Sequence, residues 1–241
     1  MKLSVVIPAF NEERLLPATL QAVQLAIQGL PSQGWSTEVV VCDNNSTDRT
    51  AEVARSFGAT VVFEPVNMIG RARNAGAAAA TGDWILFLDA DSIPSPGLFQ
   101  ATAAAISSGR CFAGGSTLRL DGGPPSAHFI GGVWNLISRI GRVPAGSYLF
   151  VETAAFREIG GFSLKQFAGE ELDLAQRLKR SARARGRKLV ILSRTPLITS
   201  ARKIRLYRTG EMLSFFFRAV FRPRATLSSR EACSMWYDGR R

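Results

Sequence analysis

The chain has 241 residues, 46% of them hydrophobic, and a formal net charge of +11. That length suffices for one α/β domain with a large core, and no run of about 18 apolar residues marks a membrane-crossing helix. Three widely spaced cysteines (Cys42, Cys111, Cys233) suit neither a disulfide framework nor a zinc site, and Met1–Pro8 has no signal-peptide pattern. The expectation is a reducing, cytoplasmic setting.

Leu3–Ile7 is a β-branched run closed by Pro8 and predicts the first strand. Asn11 is placed to cap a following helix, with Glu12 and Glu13 in a first turn where the dipole favours acids. Leu15, Leu16, Leu20, Val23 and Ile27 give that helix an apolar stripe, and Gly29 and Pro31 end it. Glu38–Cys42 reads as a second strand. It runs into the turn Asp43-Asn44-Asn45-Ser46-Thr47-Asp48, where Ser46 or Thr47 can cap the helix over Ala51–Phe57. Ala59–Phe63 is a third strand. Strand and helix alternate across short connections, which predicts βαβ units and a parallel sheet. Gly70–Ala80 is a helix of small residues able to pack closely on that sheet. Arg71 and Arg73 near its start either hold phosphate oxygens or sit solvated on the surface.

Trp84-Ile85-Leu86-Phe87-Leu88 is a continuous apolar run, the mark of a strand buried on both faces. Asp89 and Asp91 follow directly. On an extended strand both carboxylates would point the same way, with Ala90 pointing away. Their repulsion would be relieved by a divalent cation such as Mg²⁺ or Mn²⁺, shared with substrate phosphates. The alternative is a strand end and a turn, with Asp91 or Ser92 capping a helix.

Ser95–Ile106 predicts a helix and Cys111–Leu120 a strand. Periodicity fades over Asp121–Gly146, with a helix within Phe129–Ile140, and a stretch of this size can shape an acceptor pocket. The sole histidine, His128, lies there and is either a ligand or base, or neither. Ser147–Val151 reads as a strand, Thr153–Glu158 as a short helix and Gly160-Gly161-Phe162 as a turn. Ala168–Leu174 opens a further helix in which Glu170, Glu171 and Asp173 crowd more acid than capping needs, so one of them is a candidate general base. Lys188–Leu192 is a late strand. Arg177–Lys188 holds seven bases, and residues 201–241 hold ten Lys or Arg against three acids. Such a basic end attracts nucleic acid, anionic lipid or phosphorylated substrates. Within it, Leu206–Val220 mixes aromatics with arginines, as a membrane-interface helix does or as a docked terminal helix with a basic outer face. Trp236 and Tyr237 are expected to pack.

Taken in order, Val5–Glu12, Val41–Asp48, Ala72–Gly76 with Gly82–Asp91, Gly160–Phe162 and Gly169–Leu174 resemble the blocks of the family 2 glycosyltransferases over roughly residues 3–180. The resemblance implies an α/β GT-A fold with a mostly parallel central sheet flanked by helices. It divides the chain into a nucleotide-binding half, about residues 1–92, an acceptor half, about 93–200, and a basic extension, 201–241. It further implies transfer of a sugar, with inversion, from a nucleotide-diphosphate donor to a glycan or lipid-linked acceptor. Carried over to this sequence, Pro8, Ala9, Asn11, Glu12 and Asp43 hold base and ribose, and Arg73 lies near the nucleotide or its phosphates. Asp89 contacts ribose or metal-bound water, and Asp91 binds Mg²⁺ or Mn²⁺. Glu171 stands where the family usually has an Asp base, with Asp173 in reserve, and Arg202 belongs to a segment that can close over the diphosphate. The expected partners are the nucleotide sugar, the acceptor and an anionic membrane at the inner face of the cell, with no nucleic acid. A sugar nucleotidyltransferase usually has a glycine-rich loop where Pro8–Glu12 has none. A non-catalytic basic module binding nucleotide or anionic lipid is the other alternative.

Overall fold

The computed structural model describes residues 1–202, 226–229 and 231–233. The expected helix over Leu206–Val220, Lys203, Trp236 and Tyr237 lie outside them. In chain order the elements are β1 (Lys2–Ala9), α1 (Leu16–Ile27), β2 (Ser36–Asp43), α2 (Thr50–Ser56), β3 (Thr60–Phe63), α3 (Ile69–Ala79), β4 (Trp84–Leu88) and β5 (Ser92–Ile93). They continue with α4 (Pro96–Ser107), β6 (Cys111–Asp121), α5 (Pro125–Gly141), β7 (Tyr148–Glu152), α6 (Thr153–Glu158), α7 (Glu170–Ala184) and β8 (Lys188–Ser200).

The strands form one sheet in the order β3-β2-β1-β4-β7-β6-β8-β5. β3, β2, β1 and β4 run parallel, as the βαβ reading requires. β7 then runs antiparallel to both β4 and β6, β6 and β8 are parallel, and β5 closes the edge antiparallel to β8. The parallel character therefore belongs mainly to the first half of the chain.

β4 is buried at every position because helices cover both faces of the sheet. Its side chains alternate between two cores. Trp84, Leu86 and Leu88 pack with Leu16, Leu20 and Val23 of α1 and Leu98, Phe99 and Ile106 of α4. Ile85 and Phe87 pack with Ala77 of α3, Phe156 of α6 and Leu174 and Leu178 of α7. The small residues of α3 let it sit close to β1: a Cβ on Gly76 would lie 2.5 Å from Val6 Cγ1.

Several local expectations are corrected. Asn11 caps no helix. Its φ is +53°, its Oδ1 accepts from Thr47 N at 2.8 Å, and α1 starts only at Leu16 with no acid in its first turn. Ser46 and Thr47 are likewise spent on the β1 loop, and Asp48 instead accepts from Thr50 N at 2.9 Å. Neither Asp91 nor Ser92 caps α4, which Ser95 does by accepting from Leu98 N. The irregular stretch 121–146 contains a 17-residue helix, α5, on which His128 is exposed. β8 extends to Ser200, its register shifting between Ser116 and Leu118 of β6 to admit residues up to Leu197, including Pro196.

Candidate active site

The parallel strands present their C-terminal ends at one edge of the sheet, the usual place for ligands in such folds. Pro8 and Ala9 lie in register with Cys42 and Asp43 across β1 and β2. The loops beyond are laced together. Asn11 N donates to Ser46 Oγ at 2.9 Å, Glu12 N to Thr50 Oγ1 at 2.8 Å, and Ser46 N to Asp43 Oδ1 at 3.0 Å. Pro8, Ala9, Asn11, Glu12 and Asp43 are thus held together at this edge.

β4 ends at Leu88, and Ser92 N donates to Asp89 O at 3.2 Å. Residues 89–91 therefore form a turn, not the extended continuation that would align two carboxylates by alternation. Ala90 is buried, and its carbonyl accepts from Thr19 Oγ1 at 2.8 Å. The two acids meet different arginines. Asp89 lies 3.0 Å from Arg73 Nη2, and Asp91 lies 3.8 Å from Arg202 Nη2. Arg202 also forks onto Glu12, at 2.6 and 3.0 Å, and so ties the end of β8 to the β1 loop. Burial opposes its charge, but Glu12 and Asp91 raise its pKa. Arg71, the other arginine at the start of α3, pairs with Glu64 at 2.9 Å.

Arg73 is the centre of the arrangement. Its side chain is 2% exposed and donates to Glu170 Oε1 at 2.5 Å, Asp89 Oδ1 at 3.0 Å and Gly146 O at 3.1 Å, while its guanidinium stacks over Phe162 at 5.2 Å. It is committed to protein groups and does not project as a free phosphate ligand. Burial works against its charge, but Asp89, Glu170 and Glu171 together raise its pKa further. A cleft of about 120 Å³ opens beside it, lined by Asp89, Ser147, Gly169, Glu170 and Glu171 among others. Burial and the charge of Glu171 push Glu170 up to about 7 against the pull of Arg73. The neighbouring Asn74 fixes the Gly160-Gly161-Phe162 turn: its amide donates to Phe162 O and its carbonyl accepts from Phe162 N, both at 2.9 Å. Gly161 is required there, with φ +68° and room for no Cβ, which would lie 2.7 Å from Asn74 Oδ1.

Glu171 lines the cleft; Asp173 does not. Arg177 holds Asp173 at 2.7 Å while donating to Ile159 O and Gly161 O, so Asp173 is tied to the loop after α6. Glu170, one of the three acids from which the sequence offered a base, turns instead to the buried side of α7 and pairs with Arg73. Its signal was available, since 170, 174, 178 and 182 fall at helical spacing on the buried stripe of α7. Among the described residues no three His, Cys, Asp or Glu side chains converge as a metal cage. Asp89 and Asp91 remain a pair of hard oxygen donors, which suits a cation that takes its other ligands from phosphate and water.

Sheet order and site placement define the GT-A fold, and solved structures bear this out. S. aureus TarS, residues 1–349, superposes with a TM-score of 0.64 at 20% identity, covering 91% of this chain and 66% of that one. Glucosyl-3-phosphoglycerate synthase from Mycobacterium tuberculosis gives 0.64 at 21% identity, covering 97% and 80%. The family model for glycosyl transferase family 2 matches residues 4–142, and the chain belongs to that family. An uncharacterised glycosyltransferase of M. tuberculosis is 40% identical over 106 residues, 44% of each chain. The match thus spans less than half the length of that curated relative. No described helix is long and apolar enough to cross a membrane.

Proposed function

We propose that the chain transfers a sugar, with inversion at the anomeric carbon, from a nucleotide-diphosphate donor to a hydroxyl of a glycan or lipid-linked acceptor. The observation that carries this reading is the single cleft in which Arg73 joins Asp89, after β4, to Glu170, beside Glu171 at the start of α7. Structural neighbours support it. The mycobacterial synthase is a complex with Mn²⁺, UDP-glucose and phosphoglyceric acid, and a mannosyltransferase from Pyrobaculum calidifontis is a complex with GDP-mannose and Mn²⁺.

In this reading residues 1–92 form the donor half, 93–200 the acceptor half and 201–241 a basic extension. Pro8, Ala9, Asn11, Glu12 and Asp43 hold base and ribose. Arg73 acts through Asp89 and Glu170, fixing where both acids stand, and Arg202 crosses from Glu12 toward the diphosphate. Asp91 and Asp89 would hold Mg²⁺ or Mn²⁺. Bound there, the ion supplies positive charge to offset what builds on the leaving diphosphate. Glu171 takes the acceptor hydroxyl proton as that oxygen bonds to the anomeric carbon. The sugar–phosphate bond breaks on the opposite face, and its electron pair leaves with the diphosphate. The longer side chain of Glu serves where the family usually has Asp. The product fits cell-surface polysaccharide or glycolipid synthesis at the inner face of a membrane.

Thermal shift with nucleotide diphosphates and nucleotide sugars, with and without Mn²⁺, tests the donor site on wild type and Asp91→Ala. Ligand at a hundred times its Kd stabilises the native state by about 2.7 kcal/mol. The expected result is a metal-dependent shift with one nucleotide, lost in Asp91→Ala. No shift with any nucleotide in a folded protein would overturn the proposal.

A further inference from the structure

α5 is attached to the domain the wrong way round for a helix on a water-facing surface. Hydrogen bonds fasten one side of it to the body. Asn135 Nδ2 donates to Leu118 O and Asn135 Oδ1 accepts from Leu118 N, both at 2.8 Å, while Ser138 Oγ donates to Val143 O at 2.7 Å. Only Ala127 and Ser138 are buried. The apolar stripe points outward: Phe129 is 73% exposed, Ile140 77%, and Ile130, Val133, Leu136 and Ile137 are all exposed as well. Helix packing ordinarily buries such a stripe, and contiguous apolar surface of this kind marks an interaction site.

What lies beside the stripe identifies its partner. Ile140 forms one wall of a groove of about 330 Å³ completed by Arg142, Lys179, Arg183, Arg187 and Lys188. Arg187 is engaged with Glu152 at 2.5 Å. Among the described residues the other four have no carboxylate partner, and the segment from Gly122 to Val151 contains no acid at all. Burial and the charges of Arg183 and Arg142 depress the Lys179 pKa, so an anion in the groove would relieve crowding of like charges. An apolar stripe continuous with a groove carrying four cations without a carboxylate partner among the described residues matches a bilayer surface with anionic headgroups, where the stripe enters the acyl boundary and the bases meet phosphate.

We propose that α5 and the adjoining basic groove dock the protein on an anionic phospholipid bilayer. This deepens the membrane-facing part of the functional reading and is independent of its donor chemistry. The placement also serves the cleft. Arg142 lines the groove and Gly146 lines the cleft, so at most about 14 Å of chain separates the two. An acceptor held at the bilayer surface would need little reach to meet Glu171.

The test is co-sedimentation of the full chain with phosphatidylcholine vesicles, with and without phosphatidylglycerol, at low and high salt and without nucleotide sugar. Two variants probe the two parts: Phe129→Ser with Ile137→Ser and Ile140→Ser for the stripe, and Lys179→Glu with Arg183→Glu for the groove. All five positions are outside the buried core, and circular dichroism establishes that the variants fold. The expected result is binding to phosphatidylglycerol-containing vesicles that high salt releases, with partitioning reduced at least about tenfold in each variant. Equal binding to neutral vesicles, or variants that bind as wild type does, would overturn the assignment. So would a dimer that the stripe variant converts to monomer without change in vesicle binding, since a second copy would then be the occupant. Nucleotide binding measured in parallel separates this outcome from failure of the donor-site reading.

Discussion

Arg73→Met removes one cation from the centre of the site while keeping much of the side chain's stem. In the native chain the guanidinium is 2% exposed, 2.5 Å from Glu170, whose own side chain is 4% exposed. Removing one partner of a buried pair strands the charge of the other, and such losses run to about 3–5 kcal/mol. For a chain of this size each kcal/mol lowers Tm by roughly 2–4 °C, so the expected fall is about 6–20 °C. Adding Glu170→Gln to Arg73→Met replaces the stranded carboxylate by a neutral amide and is expected to restore about half of the loss or more. The pH dependence gives a second readout. Glu170 rises from 4.5 to about 7 on folding, so the proton it carries stabilises the native state. That contribution is complete below the unfolded value of 4.5 and is lost as pH rises through about 7. Without Arg73 to favour ionisation the folded value climbs further, so Arg73→Met loses stability more steeply toward about pH 8 than wild type. Urea denaturation of the four chains of this cycle, at about pH 5 and about pH 8, measures both effects. Single effects that add within about 0.5 kcal/mol would refute the reasoning, because the two side chains would then not be coupled.

Glu171→Gln is expected to lower sugar transfer by roughly 10²–10⁴-fold with nucleotide binding retained, whereas Asp173→Asn leaves the rate unchanged and moves stability by under about 1 kcal/mol; initial rates and thermal melts distinguish them. Arg202→Gln removes the forked contact to Glu12 and is expected to cost about 1.5–3 kcal/mol in urea denaturation and to weaken nucleotide binding in titration calorimetry. Gly76→Ala drives a methyl into Val6 and is expected to cost about 1–3 kcal/mol. In the same melts Gly131→Ala, whose added methyl would meet nothing within 4 Å, is expected to be neutral or to stabilise by up to about 1 kcal/mol.

The first half of the fold was legible because each element carries its own pattern. The apolar run Trp84–Leu88 is buried on both faces as its composition requires, and α3 packs close because Gly76 has no side chain. Legibility fell where a polar residue had two possible partners. Asn11, Ser46 and Thr47 all have the chemistry of helix caps, and the sequence does not show that the β1 and β2 loops are near enough to bond each other first. β8 was read only to Leu192 because Arg194, Thr195 and Pro196 break its pattern, and a register shift against β6 resumes the pairing beyond them. The candidate site divides similarly. Pro8–Glu12 and Asp43 come together because they end adjacent parallel strands, but which of three acids on α7 turns inward depends on helix phase: Glu170 continues the buried stripe, Glu171 borders the cleft and Asp173 faces Arg177.

The placement of these acids explains why the sheet changes direction after β4. β7 pairs antiparallel with β4, and the residue just before it, Ser147, accepts from Asp89 N at 3.4 Å. The β4 end and the loop feeding β7 are thereby joined, and Gly146 of that loop accepts from Arg73. A Cβ at Gly146 would lie 2.8 Å from Arg73 Nη2, so this close approach depends on glycine. Arg73 itself comes from α3, which is fixed to β1 through Gly76, and Asn74 on the same helix holds the turn that precedes α7. One helix thus sets the position of the aspartate that follows β4 and of the acids that open α7. The sheet is continuous across β4 and β7, and the buried arginine joins the end of β4 to the start of α7. The proposed inverting transfer needs its leaving group and its base on opposite faces of one sugar, at a separation that tolerates little error. A rigid connection through α3 supplies that constraint more directly than a hinged pair of domains would.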